Sequence, residues 1–161
     1  MLNANASVDF DFRGPLHMVY TFDYAYNLAY NYNRVNGLSP VNNFGGCPQG
    51  ATSTTCPAVA PYEGGNQAFM IQASVGYPLV SERWQWNVYG GYRHIDTDAV
   101  VDAFNDPDFY LGGTDAKGFH IGGNLGIAHN AWFNARWFSG TEVTGQPLSI
   151  DVLQLDLNAR F

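Results

Sequence analysis

The stretch that decides the fold is SIDVLQLDLNARF, residues 149–161. Val152, Gln154, Asp156, Asn158 and Arg160 alternate with Leu153, Leu155, Leu157, Ala159 and Phe161. A period of two belongs to an extended strand with one wholly apolar face and one mostly polar face. A soluble sheet turns such an apolar face toward a core. A transmembrane β-barrel turns it toward lipid and keeps the polar face for a watery interior.

The same pattern recurs upstream. Leu2, Ala4, Ala6, Val8, Phe10 and Phe12 alternate with Asn3, Asn5, Ser7, Asp9, Asp11 and Arg13. Gly14-Pro15 is a turn signal, and a second strand follows over 16–28, with Tyr20, Phe22, Tyr24 and Tyr26 on its apolar side. Further alternating runs start at Phe69, Trp84, Phe119 and Ala131, so the chain predicts seven strands. Their connections alternate too. Turns near 14–15, 80–83 and 129–130 are short, whereas segments at about 34–66, 96–117 and 140–148 are long. Strands of ten or more residues exceed the usual five or six, and about nine to eleven tilted residues cross a bilayer.

Composition agrees. Charged residues are 13% of the 161-residue chain, against roughly 25% in ordinary domains, and aromatics are 16%. Mean hydropathy is −0.18 and no apolar run reaches the ~18 residues of a spanning helix. Alternation hides a barrel from hydropathy in this way. A net charge of −7 with only seven scattered Lys and Arg excludes nucleic acid as a partner, because phosphate binding needs clustered cations.

Apolar-face aromatics gather toward strand ends. Phe12, Tyr77, Trp84, Trp86, Phe133 and Phe161 lie near the short turns, and Phe69, Tyr92, Phe119 and Trp137 near the long loops. Two bands of this kind are the girdles of a barrel at its two interfaces. The polar face carries Asp9, Asp11, Arg13, Asp23, Arg93, His120, Arg136, Asp151, Asp156 and Arg160. Buried in a soluble core these would each cost several kcal/mol unless paired; in an aqueous lumen they become pore-lining residues that select among solutes by opposed charge.

No catalytic, cofactor or metal site is expected. The acidic segment 96–117 lacks the EF-hand spacing and reads as a solvated or inward-folded loop that biases the passage of ions. GGTDAKG at 112–118 fails the phosphate-loop pattern because no Ser or Thr follows Lys117. His120 with Asp151 would need a nucleophilic Ser that nothing in the sequence supplies. Cys47 and Cys56, in the longest loop, read as a disulfide of an oxidising compartment.

DAVVDAFNDPDFYLGGTDAKGF at 98–119, ARWFSGTEVTGQPL at 135–148 and DVLQLDLNARF at 151–161 resemble the putative-porin family of Gram-negative outer-membrane β-barrels. The likeness is dense over about 84–161 and general before that. It implies an outer-membrane location, lipid around the barrel, small hydrophilic solutes as cargo and no enzymatic chemistry. A last strand ending in Phe161 is similar to the signal read by the barrel-assembly machinery, and homo-oligomers are common among porins. The family carries a signal peptide, absent here, and single-chain barrels normally have an even strand number. The expectation is therefore that residues 1–161 form the C-terminal part of one larger barrel domain, Met1 being an internal methionine or a late start. The alternatives are a small structural or adhesive outer-membrane barrel binding through its external loops, and a soluble β-sandwich that binds ligands.

Overall fold

The computed structural model describes residues 1–37, 64–102, 105–144 and 148–160. Cys47, Cys56 and Phe161 lie outside them. The architecture is all-β: β1 (Leu2–Arg13), β2 (Leu16–Tyr26), β3 (Gln67–Gly76), β4 (Trp86–Ile95), β5 (Ala116–Ala128), β6 (Ala131–Glu142) and β7 (Ser149–Ala159). They form one seven-stranded antiparallel sheet in the order β1-β2-β3-β4-β5-β6-β7, each strand beside its neighbour in sequence. The sheet does not close into a barrel: β1 and β7 are its two edges. One short helix, α1 (Tyr32–Gly37), follows β2, started by Asn31, whose Oδ1 accepts a 3.0 Å bond from the Arg34 amide.

Strand boundaries depart from the alternation where side chains or backbone intervene. β2 ends at Tyr26 because Asn27 turns its side chain to the loops, donating to the Asp98 carbonyl at 2.7 Å. β4 begins at Trp86 rather than Trp84, since Trp84 sits at a left-handed φ of 69° and Gln85 Oε1 accepts from the Ser81 and Glu82 amides at 2.9 and 3.0 Å. β5 and β6 run further toward the long loops than expected, to Ala116 and Glu142, which pair directly.

Register aligns the faces across the whole sheet. Val8, Tyr20, Ala73, Gly90, Ile121, Trp137 and Leu153 form one continuous cross-strand row. The opposite face carries Ser7, Thr21, Gln72, Gly91, His120, Phe138 and Val152 as its own row. Both faces of β1 are exposed, but toward β5–β7 exposure is inverted relative to a water-soluble sheet. Ile121 is 56% exposed, Leu153 67% and Leu157 74%, whereas His120 on the polar face is 3% exposed. Solvent-facing Leu and Ile in such number form a patch that soluble monomers rarely carry. The only clusters of buried apolar residues among the described ones are small: Ala25, Ala68 and Ala99, and Phe109, Ala116 and Phe138. Neither is a core between two layers, and no second sheet is found among the described residues.

Candidate functional site

The polar face is where charge collects, and around β4 to β6 it is covered by the chain itself. The connection between β4 and β5 folds down across it. Asn105, Asp106, Pro107 and Asp108 make a tight turn in which Asp106 Oδ1 accepts from the Asp108 amide at 3.1 Å, the usual local behaviour of an Asx-Pro sequence. The next residues wind left-handed: Tyr110, Leu111, Gly112 and Gly113 have φ of 53, 60, 83 and 87°. Glycine adopts this freely, but Tyr110 and Leu111 do so at a cost of the order of 1–3 kcal/mol each. The cost is offset by docking. Phe109 is 3% exposed against Ala116 and Phe138, and the Tyr110 ring lies where a Cβ on Gly140 would stand 3.1 Å away. β6 accepts that ring because residue 140 has no side chain.

The turn delivers two carboxylates to two arginines. Arg93 of β4 donates from its terminal nitrogen to Asp106 Oδ2 at 2.9 Å. Arg136 of β6 lies 3.6 Å from Asp108 Oδ2 and 3.6 Å from Asp156 Oδ2 of β7. Arg93 also lies over the Phe109 ring, 5.4 Å from its centroid. These side chains keep 20–46% of their surface exposed, so each ion pair contributes about 0–1 kcal/mol. Burying Phe109 contributes about 1.5–3 kcal/mol. The aromatic anchors therefore hold the loop, and the charges set the field around it.

Toward the short turns the polar face becomes a ladder of amides. Asn124 donates to Asn87 at 2.8 Å, and Asn134 donates to Asn124 at 2.9 Å and to the Gly123 carbonyl at 3.2 Å. Asp156 continues the row beside Asn134. Higher up, His120 Nε2 and Gln72 Oε1 share a 2.9 Å hydrogen bond, and the imidazole occupies the space above Gly91, where a Cβ would meet Cε1 at 2.6 Å. Tyr89 covers Gly122 in the same manner. Glycines on this face thus admit large neighbouring side chains.

The β1–β2 side is acidic. His17 Nδ1 lies 3.0 Å from Asp9 and 3.8 Å from Asp11, and Asp23 accepts from Asn3 at 3.1 Å. Above the strands, Asp115 at a φ of 61° accepts from the Thr144 amide and hydroxyl at 3.1 and 2.9 Å. Burial pushes the Asp115 carboxyl above the usual carboxylate range despite those bonds. Asp98 is raised too, by burial and then by Asp102.

Of the residues expected on the polar face, Asp9, Asp11, Asp23, Arg93, His120, Arg136 and Asp156 share it. Arg13 follows a bulge between Asp11 and Arg13 and pairs with Leu16, out of the regular rows. Arg160 stands just past β7, its guanidinium 5.8 Å from the Trp132 centroid. Asp151 is a correction: it pairs with Ser139 beside Phe119, on the apolar face, because it is two residues from Leu153. His120 and Asp151 are thus on opposite sides of the sheet and form no catalytic pair. No group of three or more metal-ligating side chains is found among the described residues.

On the apolar face, Phe69, Tyr92 and Phe119 form a chain across β3, β4 and β5, with centroids 6.0 and 5.0 Å apart. Near the short turns Trp84 is 67% exposed with Arg83 4.9 Å over its ring. Phe12, Trp86, Phe133 and Trp137 are exposed as well, and Tyr77 donates its amide to the Trp86 carbonyl at 2.9 Å.

An apolar face opposite a polar one runs through all seven strands, and the β4–β5 loop roofs the polar face around β4 and β6. The chain matches the putative-porin family along residues 1–161. It belongs to that family. The match extends the resemblance from the C-terminal half to the first strands, and places the chain among proteins that are typically non-enzymatic. No curated protein and no solved structure matches it. Sequence reading of this porin-family chain allowed an inward-folded loop over 96–117 but missed that Asp106, Asp108, Phe109 and Tyr110 dock it, and missed the amide ladder. Gly140 on the polar face of β6 was the available signal, since a residue without a side chain leaves room for the Tyr110 ring to lie on it.

Proposed function

We propose that this sheet is a wall of an outer-membrane pore that passes small hydrophilic solutes or ions by diffusion. The observation that carries the reading is the inverted exposure. Leu, Ile, Phe and Trp stand outward over strands of 10 to 13 residues, while Asp, Arg, Asn and Gln share the opposite face, covered in part by the β4–β5 loop. At about 3.4 Å per residue and a tilt near 45°, such strands rise roughly 24–31 Å, which matches an apolar band about 25 Å tall. The aromatic rows at both ends then sit at the two interfaces. Lipid contacts the apolar face, and β7 with Phe161 is the segment the barrel-assembly machinery would read. β1 and β7 run in the same direction, so pairing them directly would be parallel. Antiparallel closure takes an odd number of further strands, from the same polypeptide or from another.

A second reading has support in the roof over the polar face. With Arg93 and Arg136 matched by loop carboxylates, a barrel of about eight strands would be filled and would not conduct; it would act through its external loops. Planar-bilayer recording of the full-length protein separates the two. Discrete conductance steps are expected, and larger ones after Phe109→Ala frees the loop. Silence of both proteins in correctly folded form would sink the diffusion-pore reading.

A further inference from the structure

On the short-turn side of Arg93 the polar face of β3, β4 and β5 carries no carboxylate, Lys or Arg. Thr21, Gln72, Ser74, Asn87, Tyr89 and Asn124 line an open groove of about 340 Å³ there, at the low end of small-molecule sites. Charges stand to either side of it: Asp9 and Asp11 meet His17 at one end, and Arg136 meets Asp108 and Asp156 at the other. Tyr89 is the plate of the groove. It pairs with Gly122, and a Cβ on that glycine would stand 2.6 Å from both the phenol oxygen and the carbon that bears it. The ring therefore lies along the sheet over the glycine. His120 is beside it, 6.3 Å between centroids, and is held to Gln72 at 2.9 Å. Around the ring stand amides with capacity to spare. Asn87 donates to the Tyr77 carbonyl at 3.2 Å and accepts from Asn124 at 2.8 Å, and Asn124 accepts in turn from Asn134 at 2.9 Å. These bonds use one N–H and one lone pair of amides that have two of each.

We propose that this groove is a binding subsite for neutral sugars passing along the wall, with Tyr89 stacking on a sugar ring and Gln72, Asn87 and Asn124 meeting its hydroxyls. The inference rests on the diffusion-pore reading above and names a solute class for it. A pyranose has apolar C–H faces and a rim of hydroxyls that both donate and accept. An aromatic plate edged by uncharged amides, which also donate and accept, matches both features. An ion finds no countercharge within the groove, whereas a neutral solute has no charge to desolvate on entering it.

The test is block of single-channel current by lactose, with the full-length protein in a planar bilayer and a polyethylene glycol of equal hydrodynamic radius as the size control. Lactose is expected to lower the current saturably, and the polymer only in proportion to its concentration. Tyr89→Ala should raise the half-saturating lactose concentration about three- to tenfold, the worth of one aromatic contact. Tyr89→Phe keeps the plate and should stay near wild type. Gln72→Met keeps the length of the side chain without its amide and should raise the value as well. Lactose block that grows linearly like the polymer's overturns the subsite and leaves the pore standing. So does a Tyr89→Ala change that is equal for both solutes, since the ring then acts by bulk alone. Absence of conductance refutes the pore reading. In that case, or should the variants fail to fold, saturation-transfer NMR on the wild-type protein in detergent still decides the subsite. Transfer to the ring C–H protons of lactose and none to the polymer is expected, and no transfer to lactose overturns the proposal.

Discussion

Replacing Leu155 by Arg tests the assignment of faces most directly. Leu155 lies at the centre of β7, pairs with Ala135 and is 61% exposed. Were this surface bathed in water, an exposed Leu→Arg change would alter stability by no more than about 0.5 kcal/mol. If it faces hydrocarbon, an Arg near the bilayer midplane costs about 2–4 kcal/mol, or roughly 30- to 1000-fold in the folding equilibrium. The neighbouring Asp156→Asn is the internal control. Asp156 is half-exposed on the other face, 3.6 Å from Arg136, and its loss should cost about 1 kcal/mol or less. The assay is urea-dependent folding into phospholipid vesicles, read by tryptophan fluorescence and by mobility on unheated gels. A Leu155→Arg midpoint equal to that of wild type, or effects of equal size for the two substitutions, would refute the lipid-facing assignment and with it the membrane reading of all seven strands.

Three further outcomes follow from the same geometry. Gly91→Ala should destabilise by about 1–3 kcal/mol, the usual range for overpacking, because its Cβ would meet the Ile71 carbonyl at 2.5 Å and the His120 ring at 2.6 Å. The adjacent Gly90→Ala points to the apolar face, where its nearest neighbour is at 3.5 Å, and should lie within about 0.5 kcal/mol of wild type; vesicle-folding midpoints compare them. Phe109→Ala should free the β4–β5 connection from the polar face, at a local cost of about 3–5 kcal/mol, seen as faster proteolysis or hydrogen exchange at 105–114 while the strands stay protected. Asp115 gives a pH signature. Its folded-state affinity for a proton exceeds the unfolded one, since burial raises it, so the native state binds more protons between the two values. Stability should fall as pH rises from the ordinary carboxylate value toward the raised one. Asp115→Asn, which keeps an acceptor for Thr144 and tolerates a left-handed φ, should flatten that slope in melting temperature against pH.

The strands and their faces were legible in the sequence because alternation is a local property. Leu153, Leu155 and Leu157 share a side of β7 whatever the rest of the chain does, and the same holds for Ile71 and Ile121 on their own strands. The parity that assigned those leucines also places Asp151 with them, so a nominally polar residue near a strand end was better assigned by counting than by its charge. Turn chemistry located the short connections for the same reason: Gly14-Pro15 and His129-Asn130 act within a few residues. Membership of the family, too, was readable from segments such as 98–119.

What only the tertiary structure decided is how the polar face is occupied. The Arg93–Asp106 pair, the Asp115–Thr144 bonds and the Gln72–His120 bond join residues 13, 29 and 48 positions apart. No periodicity encodes them. They depend on a left-handed turn at 110–113 that aims the loop, on Gly140 making room for Tyr110, and on the burial of Phe109 holding the loop in place. A run of aspartates between two strands reads equally as a solvated or an inward-folded loop until the sheet is assembled. Then the arginines of β4 and β6 stand on one face, four residues apart in register, and the docked loop brings one carboxylate to each. Repeating local geometry determined which residues share a face; long-range packing determined which charges meet on the polar one.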